Sequence, residues 1–221
     1  MPMMKKIAFL LLFFWAFNVA AQPFKEDIEH FKKQDSLAMP AKNQILFVGS
    51  SSFTKWTDVQ DYFPRYKIIN RGFGGSTLED VIHYTQDIID PYHPKQIVIY
   101  CGENDLASSD TVTAAIVLMR FKKLFTIIRK NHPFVPVAFI SLKPSPSRKH
   151  LWAKMIKSNQ LIKQYLSTKK KTAFIDVYHK MFNKDGTVIQ DIFIEDNLHM
   201  NAKGYAIWQK VIEPYLVKNK K

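Results

Sequence analysis

The chain is short of the residues that staple or punctuate many folds. It has one cysteine, Cys101, so no disulfide can form within it. Neither H-E-x-x-H nor paired C-x-x-C spacing occurs, and the expectation is therefore an enzyme or binding protein without metal or other cofactor. Internal repeats and low-complexity tracts are absent, which sets aside solenoids and disordered arrays. Beyond the N-terminus no apolar run approaches the roughly 20 residues that a bilayer span needs. Glycine is scarce as well, with seven residues in 221, so the positions that use it carry information.

What remains is an ordinary globular composition, 47% hydrophobic and 14% aromatic, in a length that suits one domain. Residues 1–21 stand apart. Lys5 and Lys6 precede the apolar run Ile7 to Phe17, and Val19-Ala20-Ala21 offers small residues for cleavage before Gln22. That order reads as a secretory signal peptide, with an uncleaved anchor as the alternative. The mature protein is then expected in a bacterial periplasm or outside the cell, with no stable membrane insertion. The lack of a cysteine near the cleavage site argues against lipoprotein attachment. The net charge of +13 could favour polyanions, but the lysines are scattered apart from Lys169-Lys170-Lys171 and the C-terminal tail. No basic-aromatic repeat accompanies them, so a solvated basic surface is expected and no nucleic-acid partner.

Residues 22–43 read as a polar amphipathic helix (Phe24, Ile28, Phe31) and a linker, which can pack on its own domain or on a partner. From residue 44 to 221, short apolar runs alternate with helical spacings. The runs are Ile45 to Val48, Tyr66 to Asn70, Gln96 to Tyr100, Val135 to Ser141 and Ala173 to Val177. Between them Leu78, Val81, Ile82, Thr85, Ile88 and Ile89 repeat at helical intervals, as do Val112, Ala115, Ile116 and Met119, and then Trp152, Met155 and Ile156. Tyr205, Trp208, Val211, Ile212 and Tyr215 form a terminal amphipathic helix. Strands apolar on both faces and alternating with helices predict a five-stranded parallel sheet covered on both sides, a three-layer α/β/α sandwich. Active sites in such sandwiches lie beyond the carboxyl ends of the strands.

Five of the seven glycines fall at three of those ends: Gly49, Gly72, Gly74, Gly75 and Gly102. Glycine serves where φ is positive or where backbone must approach something closely, so this clustering predicts a cleft lined with exposed N–H groups. The first end carries Gly49-Ser50-Ser51-Ser52 and the third Gly102-Glu103-Asn104-Asp105. Of seven histidines, His199 stands out, because Asp196 precedes it by three residues just before the last helix. In a helical turn that spacing lets a carboxylate orient an imidazole. A serine hydroxyl needs such a base, the base needs its tautomer held, and a tetrahedral oxyanion needs preorganised donors. A serine of the 50–52 run, His199, Asp196, glycine N–H groups and the Asn104 carboxamide make up that set. Cys101, inside a strand pattern, is expected to be a buried inert thiol.

In these segments the chain resembles the SGNH, or GDSL-like, hydrolase superfamily of serine esterases and lipases. "FVGSSSFTKW" is similar to the first block and puts the nucleophile at Ser51; "NRGFGGS" is similar to the second, whose final glycine, Gly75, donates a backbone N–H. "GENDL" matches the third block, whose asparagine, Asn104, completes the oxyanion hole with the Ser51 N–H, and "DNLHMNAKGY" matches the last, with Asp196 and His199. The resemblance covers nearly the whole mature chain and implies a flavodoxin-like sandwich and metal-independent ester hydrolysis. Ser50 stands where many members carry aspartate, which leaves Ser50 and Ser52 as alternative registers.

Trp56, Phe73 and Arg148 follow strand ends or a Pro-rich loop and are candidate cleft-lining residues. For Trp56, packing against the first helix is the favoured reading; for Arg148, binding an anionic group and facing solvent are equally open. Arg71 and Glu103 are expected to form a buried pair. Three function classes follow: an exported esterase removing small acyl groups such as acetyl from carbohydrate, a lipase, phospholipase or thioesterase for longer acyl chains, and a non-catalytic glycan- or surface-binding relative.

Overall fold

The computed structural model describes residues 22–218. Its centre is a parallel five-stranded sheet in the order β2-β1-β3-β4-β5, formed by β1 (Ile45–Gly49), β2 (Ile68–Gly72), β3 (Gln96–Tyr100), β4 (Val137–Ile140) and β5 (Thr172–Ile175). The connections are helical: α2 (Ser51–Thr54) and α3 (Val59–Tyr62) after β1, α4 (Leu78–His83) and α5 (Thr85–Ile88) after β2, α6 (Glu103–Ser108) and α7 (Ala114–Asn131) after β3, and α8 (Trp152–Ser167) after β4. An N-terminal α1 (Lys25–Leu37) and a C-terminal α9 (Ala202–Ile212) complete the three layers.

The strand sequences explain the layering. Along β1, Leu46 and Val48 enter one core while Ile45 and Phe47 enter the other; Ile97 and Ile99 alternate with Val98 and Tyr100 in the same way on β3. Side chains of a strand alternate between faces, so a run that is apolar throughout requires cover on both. The first core is closed by α1, α4, α5, α7 and α8, the second by α2, α3 and α9. Register matters for the site: Gly49 pairs with Gly72 on one side and Tyr100 on the other, so three strands end level.

One strand and one helix shift. Strand β2 lies two residues beyond the expected Tyr66–Asn70, because Tyr66 closes a turn (its N–H donates to Phe63 O, 2.9 Å) and packs into the second core. The polar Asn70-Arg71-Gly72 belongs to the strand itself. On α7 the buried face is Ala114, Val117, Phe121, Leu124, Phe125 and Ile128, while Met119 is 61% exposed, so the expected face is off by one register.

The N-terminal helix packs on its own domain. Asp35 accepts from the Arg71 guanidinium (2.5 Å) and from the Tyr92 hydroxyl (2.5 Å), and Arg71 Nε donates to Tyr92 Oη (2.6 Å). Burial, helped by Asp35, pushes the Tyr92 hydroxyl up to about 12, so it stays a neutral donor. Ile28 enters the core, and Phe24 meets Phe73 edge-on at 5.3 Å. The proposed leader lies outside the described residues; among those described, no helix is long and apolar enough to cross a membrane.

Candidate active site

Gly49 ends β1 with φ +144, and a Cβ there would lie 1.9 Å from the Tyr100 carbonyl oxygen. Only glycine lets the first strand approach the third so closely at this point. The chain then turns sharply: Ser50 is extended, its carbonyl accepts from Phe53 N–H (2.9 Å), and Ser51 opens the single-turn α2. Ser50 and Ser52 are buried, at 3% and 1% exposure, whereas Ser51 is partly exposed at the top of the elbow.

Ser51 meets the last block across the chain. His199 Nε2 lies 2.8 Å from Ser51 Oγ, and His199 Nδ1 lies 2.6 Å from Asp196 Oδ2. Of the three consecutive serines, Ser51 is the one that lies against the imidazole. The Asp196–His199 pair, however, does not sit in a helical turn. Asp196 Oδ1 instead accepts the N–H groups of Leu198 (2.8 Å) and His199 (2.8 Å), and Asn197 takes a left-handed φ of +52. The Asx turn brings the two side chains together as a helix would. Burial opposes ionisation of Asp196, but these N–H groups and the His199 ring outweigh it and hold the carboxyl at about 2. Asn201 caps α9 through its side chain, accepting from Lys203 and Gly204 N–H.

The three expected donors lie at or just beyond the level ends of β1, β2 and β3. Ser51 N–H is the first of a helix and has no intrahelical acceptor. Gly75, exposed with φ +86, sits in the loop after β2, where a Cβ would find only the Phe24 ring nearby at 3.6 Å. Asn104 Nδ2 donates to Ser76 O (3.0 Å), which leaves its second N–H for a ligand. Asp105, fully buried, accepts from Leu78 N–H (2.9 Å) and Arg120 (2.8 Å), and so ties the third block to the helix that follows the glycine loop. Cys101 is buried, and burial drives its thiol well above the ordinary value. Among the described residues no group of three His, Cys, Asp or Glu side chains is placed to hold a metal ion.

Four expectations need correction or a choice between their alternatives. Trp56 is 0% exposed and stacks on Tyr205 at 4.6 Å, with Trp208 and Phe63 around it; it belongs to the core and cannot line a cleft. Phe73 is likewise 0% exposed, enclosed by Phe24 and Tyr84. Arg71 and Glu103 are both buried but not paired: Arg71 turns to Asp35 and Tyr92, while Glu103 takes Lys143 (3.2 Å), Arg148 (3.2 Å) and the Tyr100 hydroxyl. Arg148 neither faces solvent nor awaits an anion. Its guanidinium donates to Glu103 Oε2 and to Asn104 Oδ1 (2.8 Å).

The structure also holds a second Asp-x-x-His turn. Asp176 Oδ2 lies 2.7 Å from His179 Nδ1, and Asp176 Oδ1 accepts His179 N–H at 3.2 Å. Its imidazole is 77% exposed, and no serine hydroxyl bonds to it among the described residues. The dipeptide spacing therefore does not distinguish the two turns; the serine does.

The family model for the GDSL-like Lipase/Acylhydrolase family matches residues 42–207. The chain belongs to this family. Solved structures share the fold: a Streptococcus pneumonia chain described as a platelet activating factor aligns with TM-score 0.75 at 19% identity, over 87% of this chain and 92% of that one. A GDSL-like lipase from Bacteroides thetaiotaomicron gives 0.70 at 20% identity over 85% and 95%. A mutant of an acetyl-xylooligosaccharide esterase from Geobacillus Stearmophilus gives 0.63 at 12% identity over 81% and 97%. No curated protein matches the chain.

Proposed function

We propose that this acylhydrolase is an exported serine esterase that removes small acyl groups, acetyl above all, from carbohydrate. The observation that carries the catalytic part is the continuous Asp196–His199–Ser51 hydrogen-bond chain, 2.6 and 2.8 Å in its two links. In the mechanism, Ser51 Oγ bonds to the ester carbonyl carbon as His199 Nε2 takes its proton, and the carbonyl electron pair moves onto oxygen. The N–H groups of Ser51 and Gly75 and the Asn104 carboxamide receive that oxyanion. The intermediate collapses, the alkoxide leaves with the proton from His199 Nε2, and an acyl-Ser51 remains. Water then attacks the acyl carbon, giving its proton to His199. Collapse releases the carboxylic acid and returns the proton to Ser51. Asp196, ionised throughout, holds Nδ1–H and favours the imidazolium.

The carbohydrate part rests on a groove of about 480 Å³ beside α2, between α1 and the end of β2. Asp27, His30, Phe31, Gln34, Thr57 and Asn70 line it. A lining of hydrogen-bonding side chains with one aromatic ring suits a hydroxyl-rich alcohol better than an alkyl chain. The esterase from Geobacillus Stearmophilus acts on such a substrate. Export rests on Lys5, Lys6 and the apolar run before Gln22.

Initial rates on p-nitrophenyl acetate, butyrate and octanoate, with release of acetate from acetylated xylooligosaccharide, test the reading. Highest kcat/KM on acetate, with release from the oligosaccharide, is expected. A maximum at octanoate would replace it with the lipase reading.

A further inference from the structure

Arg148 lies 44 residues from Asn104 in sequence, on a short 3-10 turn (Pro146–Leu151) after β4. Its two terminal nitrogens are committed, Nη1 to Glu103 Oε2 and Nη2 to Asn104 Oδ1. Glu103 is buried at 3% exposure and gathers four further contacts, from Lys143 Nζ to each carboxylate oxygen (3.3 and 3.2 Å), Lys143 N–H (3.1 Å) and the Tyr100 hydroxyl. Burial alone would raise that carboxyl; Lys143, Arg148 and Tyr100 together hold it below its ordinary value. The guanidinium therefore has a fixed anionic seat and a fixed direction.

A carboxamide can face either way, and only one way serves an oxyanion. With Oδ1 turned to Arg148, Nδ2 faces Ser76 O and keeps one N–H for the reacting oxygen. Reversed, the amide would put a carbonyl dipole where negative charge develops. We infer that Arg148, seated on Glu103, is a positioning residue that locks and polarises the Asn104 carboxamide for the transition state. The inference rests on the proposed esterase mechanism. The same turn also reaches the acid–base side: Ser147 N–H and Ser147 Oγ both donate to the Asn197 carbonyl, at 3.1 and 3.0 Å. One dipeptide thus braces the oxyanion amide and the Asp196–His199 turn.

A double-mutant cycle on p-nitrophenyl acetate tests this. Removing one oxyanion donor in known cases lowers kcat about 10²- to 10³-fold, and Asn104→Ala is expected in that range. Arg148→Ala is expected to lower kcat about tenfold or more with KM within about twofold, since the effect belongs to the transition state. Combined, the two should fall no further than Asn104→Ala alone, because Arg148 then has no amide to orient. Arg148→Lys, which keeps the charge opposite Glu103 but lacks the fork, should fold normally and still lose kcat. Losses that multiply in the double variant, or a change confined to KM, would overturn the role while leaving the esterase intact. A wild-type chain inactive on every ester would overturn the proposed function and this role with it.

Discussion

His199 Nε2 stands 2.8 Å from Ser51 Oγ although 148 residues separate them. The contact depends on two backbone devices: the elbow after Gly49, which lifts Ser51, and the Asp196 turn, which aims the ring. Ser51→Ala or His199→Ala is accordingly expected to lower kcat by about 10⁴-fold or more, and Asp196→Ala by about 10²- to 10⁴-fold. Steady-state rates on p-nitrophenyl acetate, with circular dichroism to verify folding, measure this.

Asp196 also links the site to acid stability. Its carboxyl ionises at about 2 in the folded chain against 3.8 ordinarily, so protons bind more readily to the unfolded state. The contribution is therefore present above about pH 4 and is lost as pH falls towards 2. Urea midpoints of the wild type and Asp196→Asn should differ by a constant amount at neutral pH and converge below about pH 4. The difference is expected to be small, because the side chain is 43% exposed and solvent screens it.

Trp56 offers a contrast between core and cleft. Fully buried against Tyr205 and Trp208, it should matter to stability and not to substrate. Trp56→Ala is expected to destabilise by about 3–5 kcal/mol, while Trp56→Phe leaves KM unchanged. A raised KM for Trp56→Phe with an unchanged melting temperature would put the ring back at the cleft.

The seat of α1 depends on Asp35. Both Arg71 and the Tyr92 hydroxyl converge on its carboxylate, and Arg71 is 9% exposed. Asp35→Ala leaves that guanidinium buried and unpaired, and about 3 kcal/mol of stability should go with it. Chemical denaturation measures the loss, and limited proteolysis should cut first within residues 25–37.

Fold and chemistry were legible to different depths in the sequence. Apolar strands alternating with helices demand a covered parallel sheet, and the serine, glycine, asparagine and histidine blocks are local patterns that survive without coordinates. Boundaries failed where a polar residue finds tertiary partners: Arg71 looks like loop, yet it donates to Asp35 and to the Tyr92 hydroxyl, which lets it sit in the strand beyond Asn70. An aromatic residue after a strand end reads alike whether it lines a cleft or fills a core, which is why Phe73 misled and why Trp56, favoured as a packed residue, still stood among the cleft candidates. Lys143 gave no local signal at all, and the Pro-rich loop marked Arg148 without revealing its partners. Their roles exist only because the turn after β4 folds back over Glu103, 40 and 45 residues earlier.

The central claim is an activated Ser51, and labelling of the purified protein with a fluorophosphonate, followed by mass mapping of the modified peptide, tests it most directly. A single adduct on Ser51 that disappears in His199→Ala is the predicted result. An adduct on Ser50 or Ser52 would contradict the assigned nucleophile, and no adduct with no hydrolysis of p-nitrophenyl acetate would contradict the esterase itself.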